Sequence, residues 1–238
     1  MSRMLEPVTA VHRFDQRGCG GSEDTGDHTM GRAVADVEAL RRHWGHDRWI
    51  VIGHSFGATL ALEYAFAHPG RTAAVGYLSG VGVGDWRAAY RDEWMRRTTV
   101  AQRERLAELE AGERSAREET EFRTLCWFTD HADPGDGRRW AAEDARAGFP
   151  INWAANRALM AGTRPDADVL ARARELDLPC WFVHGDRDPR PSGTVRALAG
   201  VVPGARFRLI AGAGHHPWRE RPGDLRQVLR ELVADQAK

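Results

Sequence analysis

Apolar residues follow two different rhythms along this chain. Met30, Ala33, Val34, Val37, Leu40 and Trp44 recur at steps of three and four, which predicts a helix over Met30–Trp44 ended by Gly45. Short continuous runs rich in β-branched and aromatic residues occur instead at Pro7–Phe14, Trp49–Ile52, Ala73–Ser79, Pro179–His184 and Arg206–Ile210, and predict strands. A helix is expected from Ser55 to about His68, where Pro69-Gly70 stops it. Residues 191–200 predict a short helix. The last helix, Asp224–Ala234, carries Leu225, Val228, Leu229, Leu232 and Val233 on one face. Strands alternating with helices imply parallel pairing through right-handed crossovers.

From Asp85 to about Arg164 the pattern changes: charge is dense and the β-branched runs vanish. Ala101–Thr120 reads as one charged, solvated helix with Glu110–Arg114 and Glu113–Arg117 pairs. Trp86, Trp94, Trp127, Trp140 and Trp153 fall in this region. They are either the lining of an aromatic pocket or the core of a small helical insertion. The expected organisation is core at 1–84, helical insertion at 85–164 and core again at 165–238.

Composition narrows the partners. The 238 residues suffice for one α/β domain with an insertion. Lys and Arg number 34 and Asp and Glu 34, which argues against a nucleic-acid or membrane-surface partner. Lys238 is the only lysine, a bias that fits a GC-rich genome better than a functional choice. Cys19, Cys126 and Cys180 are far apart and form no C-x-x-C, so a reducing, cytoplasmic setting without disulfides is expected. No apolar run approaches a membrane span and no signal-peptide core is visible.

The chemistry concentrates where strands end. RWIVIGHSFGATL, Arg48–Leu60, reads as strand, sharp turn and helix, with Ser55 between Gly53 and Gly57. Glycine at both flanks suits a turn too tight for a Cβ. Asp186 and Asp188 follow the Pro179–His184 strand, and His215 and His216 follow Arg206–Ile210. A serine hydroxyl needs an imidazole to take its proton, and the imidazole needs a carboxylate to fix its tautomer. Rival readings are weaker. Gly18–Ser22 lacks the helix start that a phosphate cradle requires. Gly80–Gly84 does not match a dinucleotide fingerprint. His43 and His46 have no third metal ligand nearby.

VHRFDQRGCGGSE, GHSFG, HGDRDP and GAGHHPW together resemble the α/β-hydrolase superfamily. The DQRGCG loop and GAGH-x-PW ending are especially similar to its proline iminopeptidase-like branch. The resemblance implies a mostly parallel sheet flanked by helices, with 85–164 as a helical cap. It implies Ser55 as nucleophile, Asp188 as acid, His215 as base and the Phe56 N–H as an oxyanion donor, with no cofactor or metal. Asp186 and His216 are the fallback acid and base. Asp186 is expected to order its turn and His216 to face the cap. Serine at 55 argues against epoxide hydrolases and haloalkane dehalogenases, which attack with a carboxylate.

One departure stands out. Relatives of this kind place several strands and an HG-rich loop before the strand matching Pro7–Phe14, and that loop supplies the second oxyanion N–H. Either the start codon lies upstream of Met1 or the chain is a shortened member with altered or lost catalysis. Without the intervening strand, Pro7–Phe14 and Trp49–Ile52 must close up or leave backbone groups unpaired. Three functions are therefore expected candidates. One is a peptidase releasing an N-terminal residue from a short peptide, with Glu118, Glu119, Glu121, Asp130 or Asp133 holding the substrate ammonium. Another is a carboxylesterase or lactonase on small acyl substrates. The third is a non-catalytic protein of the same fold. Oligomeric state is not legible.

Overall fold

The computed structural model describes residues 1–236. Helix α1 (Met30–His43) starts at Thr29, whose hydroxyl accepts from the Arg32 N–H at 3.2 Å, and ends in a left-handed Gly45 at φ +73°. Then come β1 (Trp49–His54), α2 (Phe56–Ala67) and β2 (Thr72–Leu78). Six helices follow: α3 (Trp86–Arg97), α4 (Val100–Ala111), α5 (Ala116–Trp127), α6 (Pro134–Arg146), α7 (Trp153–Ala161) and α8 (Asp166–Arg174). The chain closes with β3 (Cys180–Gly185), α9 (Ser192–Ala199), β4 (Arg206–Ile210), α10 (Pro217–Glu220) and α11 (Pro222–Ala234).

The four strands form a parallel sheet in the order β1-β2-β3-β4. Helices cover both faces. Ala58, Leu62, Val75, Tyr77, Phe182 and Leu198 build one core layer; Leu78, Val183, Ile210, Leu225 and Leu229 build the other. All strands point the same way, so the loops after β1, β3 and β4 meet at one end of the sheet.

Two expectations fail for physical reasons. Ala101–Thr120 is not one helix. It breaks between α4 and α5 because Ser115 and Glu118 form a reciprocal cap that starts a new helix. Among the described residues the expected Glu110–Arg114 and Glu113–Arg117 pairs do not form; Arg105 reaches across the break to Glu121 at 3.0 Å and Arg114 pairs with Glu119 at 2.6 Å, alongside Arg105–Glu108 within α4 and Arg123–Glu119 within α5. Pro7–Phe14 is not a strand. Val8 and Thr9 turn back onto the Leu5 carbonyl, and residues 10–16 run on without a ladder partner among the described residues. Between this stretch and β1 lies a cavity of about 640 Å³, walled by Thr9–Phe14 on one side and Trp49–His54 on the other. Side chains supply tethers: the His12 ring stacks on Trp44 at 4.2 Å, and its Nε2 lies 2.9 Å from His46 Nε2.

The two segments have therefore not closed up, and β1 is an open edge. Its residues are mostly half-buried, whereas β3 is buried throughout. Amides of β1 that face away from β2 should exchange with solvent at least about tenfold faster than those of β2 and β3. Residue-resolved hydrogen exchange checks this, and equal protection across the sheet would contradict the open edge.

Candidate active site

Ser55 sits between the last residue of β1 and the first of α2. A Cβ on Gly53 would stand 1.8 Å from the Gly57 carbonyl oxygen, so only glycine fits there. Around Gly57 there is open space, so the second glycine is not demanded by crowding, contrary to the expectation from sequence. Ser55 itself has φ +55° and ψ −119°, a strained conformation for an L-residue. Two backbone bonds hold it there: Ser55 N–H to the Leu78 carbonyl at 2.9 Å and Ala58 N–H to the Ser55 carbonyl at 3.0 Å. Phe56 follows as the first residue of α2, where a backbone N–H has no acceptor within its own helix.

Asp188 and His215 are brought together by the packing of the loops after β3 and β4. Gly185 lies so close to the Ala213 carbonyl that a Cβ there would be 2.2 Å from its oxygen. Asp186 accepts from the Gly212 N–H at 2.7 Å and so orders this junction, the role expected of it. Asp188 Oδ2 accepts from His215 Nδ1–H at 2.7 Å, and Oδ1 accepts from the Arg190 N–H at 2.9 Å. Burial opposes the Asp188 charge. The His215 imidazole, its hydrogen bond, His184 and Arg190 outweigh burial and hold the carboxyl well below the usual carboxylate range. The arrangement leaves His215 Nε2 free to take a proton.

Ser55 and His215 line the same pocket, of about 510 Å³, together with His54, Tyr90, Trp127 and Arg190. The Ser55 hydroxyl makes no hydrogen bond to His215 among the described residues; such bonds are often long before substrate binds. His54 donates from Nε2 to the His215 carbonyl at 2.8 Å. His216 turns toward the helical segment, its Nδ1 3.3 Å from His131 Nε2.

A family model described as alpha/beta hydrolase matches residues 2–228. The chain belongs to the alpha/beta hydrolase family. Among relatives, a proline iminopeptidase of Xanthomonas citri is 56% identical over 69 residues, 27% of this chain and 22% of the relative. One from Saccharolobus solfataricus is 23% identical over 92% of this chain and 74% of its own. The chain's match thus spans about a fifth of the first relative's length. A thermophilic esterase structure from Thermogutta terrifontis superposes with a TM-score of 0.70 at 23% identity, covering 94% of this chain and 79% of that one. That likeness concerns the fold.

Most of the carboxylates expected to hold a substrate ammonium are engaged away from this pocket. The Glu118 carboxylate accepts from the Ser115 N–H and hydroxyl in the cap of α5, Glu119 pairs with Arg114 and Arg123, Glu121 with Arg105, and Asp133 caps α6. Asp130 lines the pocket but accepts from Arg190 at 2.7 Å. Asp144, which the sequence reading passed over, also lines it, bonded to Arg219. Of the five tryptophans in the helical region, Trp127 faces the pocket, Trp140 packs on His131 and Trp153 is exposed. Cys126 lines the pocket too; burial pushes its thiol up to about 11, so it is protonated near neutral pH. Among the described residues no group of three or more His, Cys, Asp or Glu is placed to hold a metal, and no helix is long and apolar enough to cross a membrane.

The histidines around His215 set a pH dependence. Burial pulls His54 down to about 3, His131 to about 4 and His216 to about 2. Below the ordinary histidine value near 6.5 the unfolded chain takes up protons that the folded chain refuses, so stability falls as pH falls. The slope approaches about 1.4 kcal/mol per pH unit for each such histidine. Melting temperature should drop steadily from pH 7 to pH 5, and a flat profile over that range would show these rings to be solvated.

Proposed function

We propose that this chain is a serine hydrolase that works through Ser55, Asp188 and His215 and an acyl-enzyme. The observation that carries this reading is the buried 2.7 Å bond between Asp188 and His215, opening onto the pocket that also holds the strained Ser55. Ser55 Oγ attacks the substrate carbonyl carbon as His215 Nε2 takes its proton. Asp188 keeps the imidazole in the tautomer with Nδ1 protonated and stabilises the imidazolium. The Phe56 N–H donates to the oxyanion. The tetrahedral adduct collapses as His215 returns the proton to the departing amine or alcohol, leaving an ester on Ser55. Water, deprotonated by His215, then releases the acid and restores the serine.

For the substrate, the relatives favour removal of an N-terminal residue from a short peptide, an iminopeptidase-like activity. Asp144 is the candidate carboxylate for the substrate ammonium: it lines the pocket with its side chain partly exposed, beside Arg219. A second reading, a carboxylesterase or lactonase acting on small acyl groups, is supported by the fact that Asp130 and Asp144 each already have an arginine partner. Helices α3–α7 serve as the cap in either case.

Hydrolysis of a prolyl arylamide compared with that of a short-chain aryl ester separates the two. Arylamide turnover lowered at least about tenfold in kcat/KM by Asp144→Asn supports the peptidase, as expected for loss of a charged partner. Ester turnover alone, indifferent to Asp144, supports the second reading. Ser55→Ala should remove at least about 10³ of kcat/KM on the better substrate, and Asp188→Asn about 10⁴ of kcat through the wrong tautomer. Undiminished turnover in Ser55→Ala would refute the mechanism.

A further inference from the structure

The turn at Phe128–Ala132, between α5 and α6, makes more bonds to the triad loops than a cap that merely covers the pocket would need. The His215 N–H donates to the Asp130 carbonyl at 2.7 Å. Gly214 is pressed against the same carbonyl, where a Cβ would lie 2.5 Å from its oxygen. Glu220, on α10, bridges the two segments: Oε1 accepts from the Ala132 N–H at 2.6 Å and Oε2 from the Gly214 N–H at 2.7 Å. Its side chain is only 5% exposed.

The acid side is tied in the same way. Arg97, at the end of α3, donates to the Thr129 carbonyl at 2.7 Å, to the His131 carbonyl at 2.9 Å and to the Arg187 carbonyl at 2.7 Å. Arg187 directly precedes Asp188. Arg190, whose N–H holds Asp188, reaches the Asp130 carboxylate with its guanidinium at 2.7 Å. A carboxylate takes the turn's outward N–H and a guanidinium takes its outward carbonyls. Each charged group continues to a loop carrying a triad residue.

We propose that Glu220 and Arg97 are positioning residues that bind the Phe128–Ala132 turn to the His215 and Asp188 loops as one unit, so that the triad geometry follows the position of the cap. A substrate that lifts the cap then pulls His215 away from its working position, and one that seats the cap brings it in. Neither Glu220 nor Arg97 lines the pocket, so neither touches substrate. This inference rests on the serine-hydrolase reading for its kinetic consequence, but not for its structural one.

The test uses Glu220→Gln in the full chain. Glutamine has the same shape but one acceptor oxygen, so one of two buried N–H groups faces an amide NH₂ instead. Three readouts are taken: kcat and KM on the better substrate, the low-field proton resonance of His215 Nδ1–H, and melting temperature. The expected result is kcat reduced about tenfold or more with KM within twofold, together with a shifted or broadened His215 resonance. Glu220→Asp, which keeps the charge but spans only one of the two N–H groups, should restore part of kcat. Arg97→Gln should act in the same direction, and the double variant should lose less than the product of the two single losses. An unchanged His215 resonance and unchanged kcat in a folded Glu220→Gln protein would overturn the proposal.

If the variants fail to fold, the wild-type chain still decides. The Ala132, Gly214 and His215 amides should exchange with one common protection factor, and protections differing by more than about tenfold would refute a single unit. If the wild type turns over no substrate, the resonance and exchange results still stand or fall on their own. Failure of the hydrolase reading is thus distinct from failure of this one.

Discussion

The carboxylate of Asp188 and the imidazole of His215 lie 2.7 Å apart with both side chains almost completely buried, and the loops around them are arranged to keep them so. A carboxylate in that setting is stable only while it is paired and hydrogen-bonded. His215 supplies the pair, the Arg190 N–H supplies a second bond, and His184 stands behind at 3.6 Å. Close backbone packing brings the partners into register. Gly185 against Ala213 joins the β3 and β4 loops, and Gly214 against Asp130 joins the β4 loop to the helical segment. A side chain at either glycine would force these loops apart and leave a buried charge without its partner.

The same end of the sheet carries a second constraint, the strain at Ser55. A non-glycine residue at φ +55° persists only when its surroundings over-determine it. Here β1 fixes one side, α2 the other, and the Leu78 carbonyl anchors the amide between them. β1, like β4, is paired on one side only, and its free edge opens onto the cavity beside Thr9–Phe14. That cavity reaches His54 and Gly57, so the neighbourhood of the strained serine is firm on the β2 side and open on the other.

Much of this could be read from residue order alone. The four core strands were visible as apolar runs, and Ser55, Asp188 and His215 as polar residues just past three of them. Pro7–Phe14 misled because strand propensity is a statement about the segment, whereas a strand also needs a neighbour with free backbone groups. The Ser115-x-x-Glu118 cap was present in the chain but masked by a continuous run of helix-forming residues. Glu220, Arg97, Arg190 and Asp144 carried no local signal. Their contacts are with groups contributed by segments far away in the chain, and periodicity is blind to such partners. Gly57 shows the reverse case, a motif position whose space would admit a side chain.

The central claim is that Ser55 is activated by the Asp188–His215 pair. The most direct test is labelling of the full chain with a fluorophosphonate, followed by peptide mapping of the adduct. A single phosphonyl adduct on the peptide containing Ser55, lost in His215→Ala as well as in Ser55→Ala, is the result expected. A correctly folded chain that takes up no label, or one labelled equally well without His215, would contradict the account.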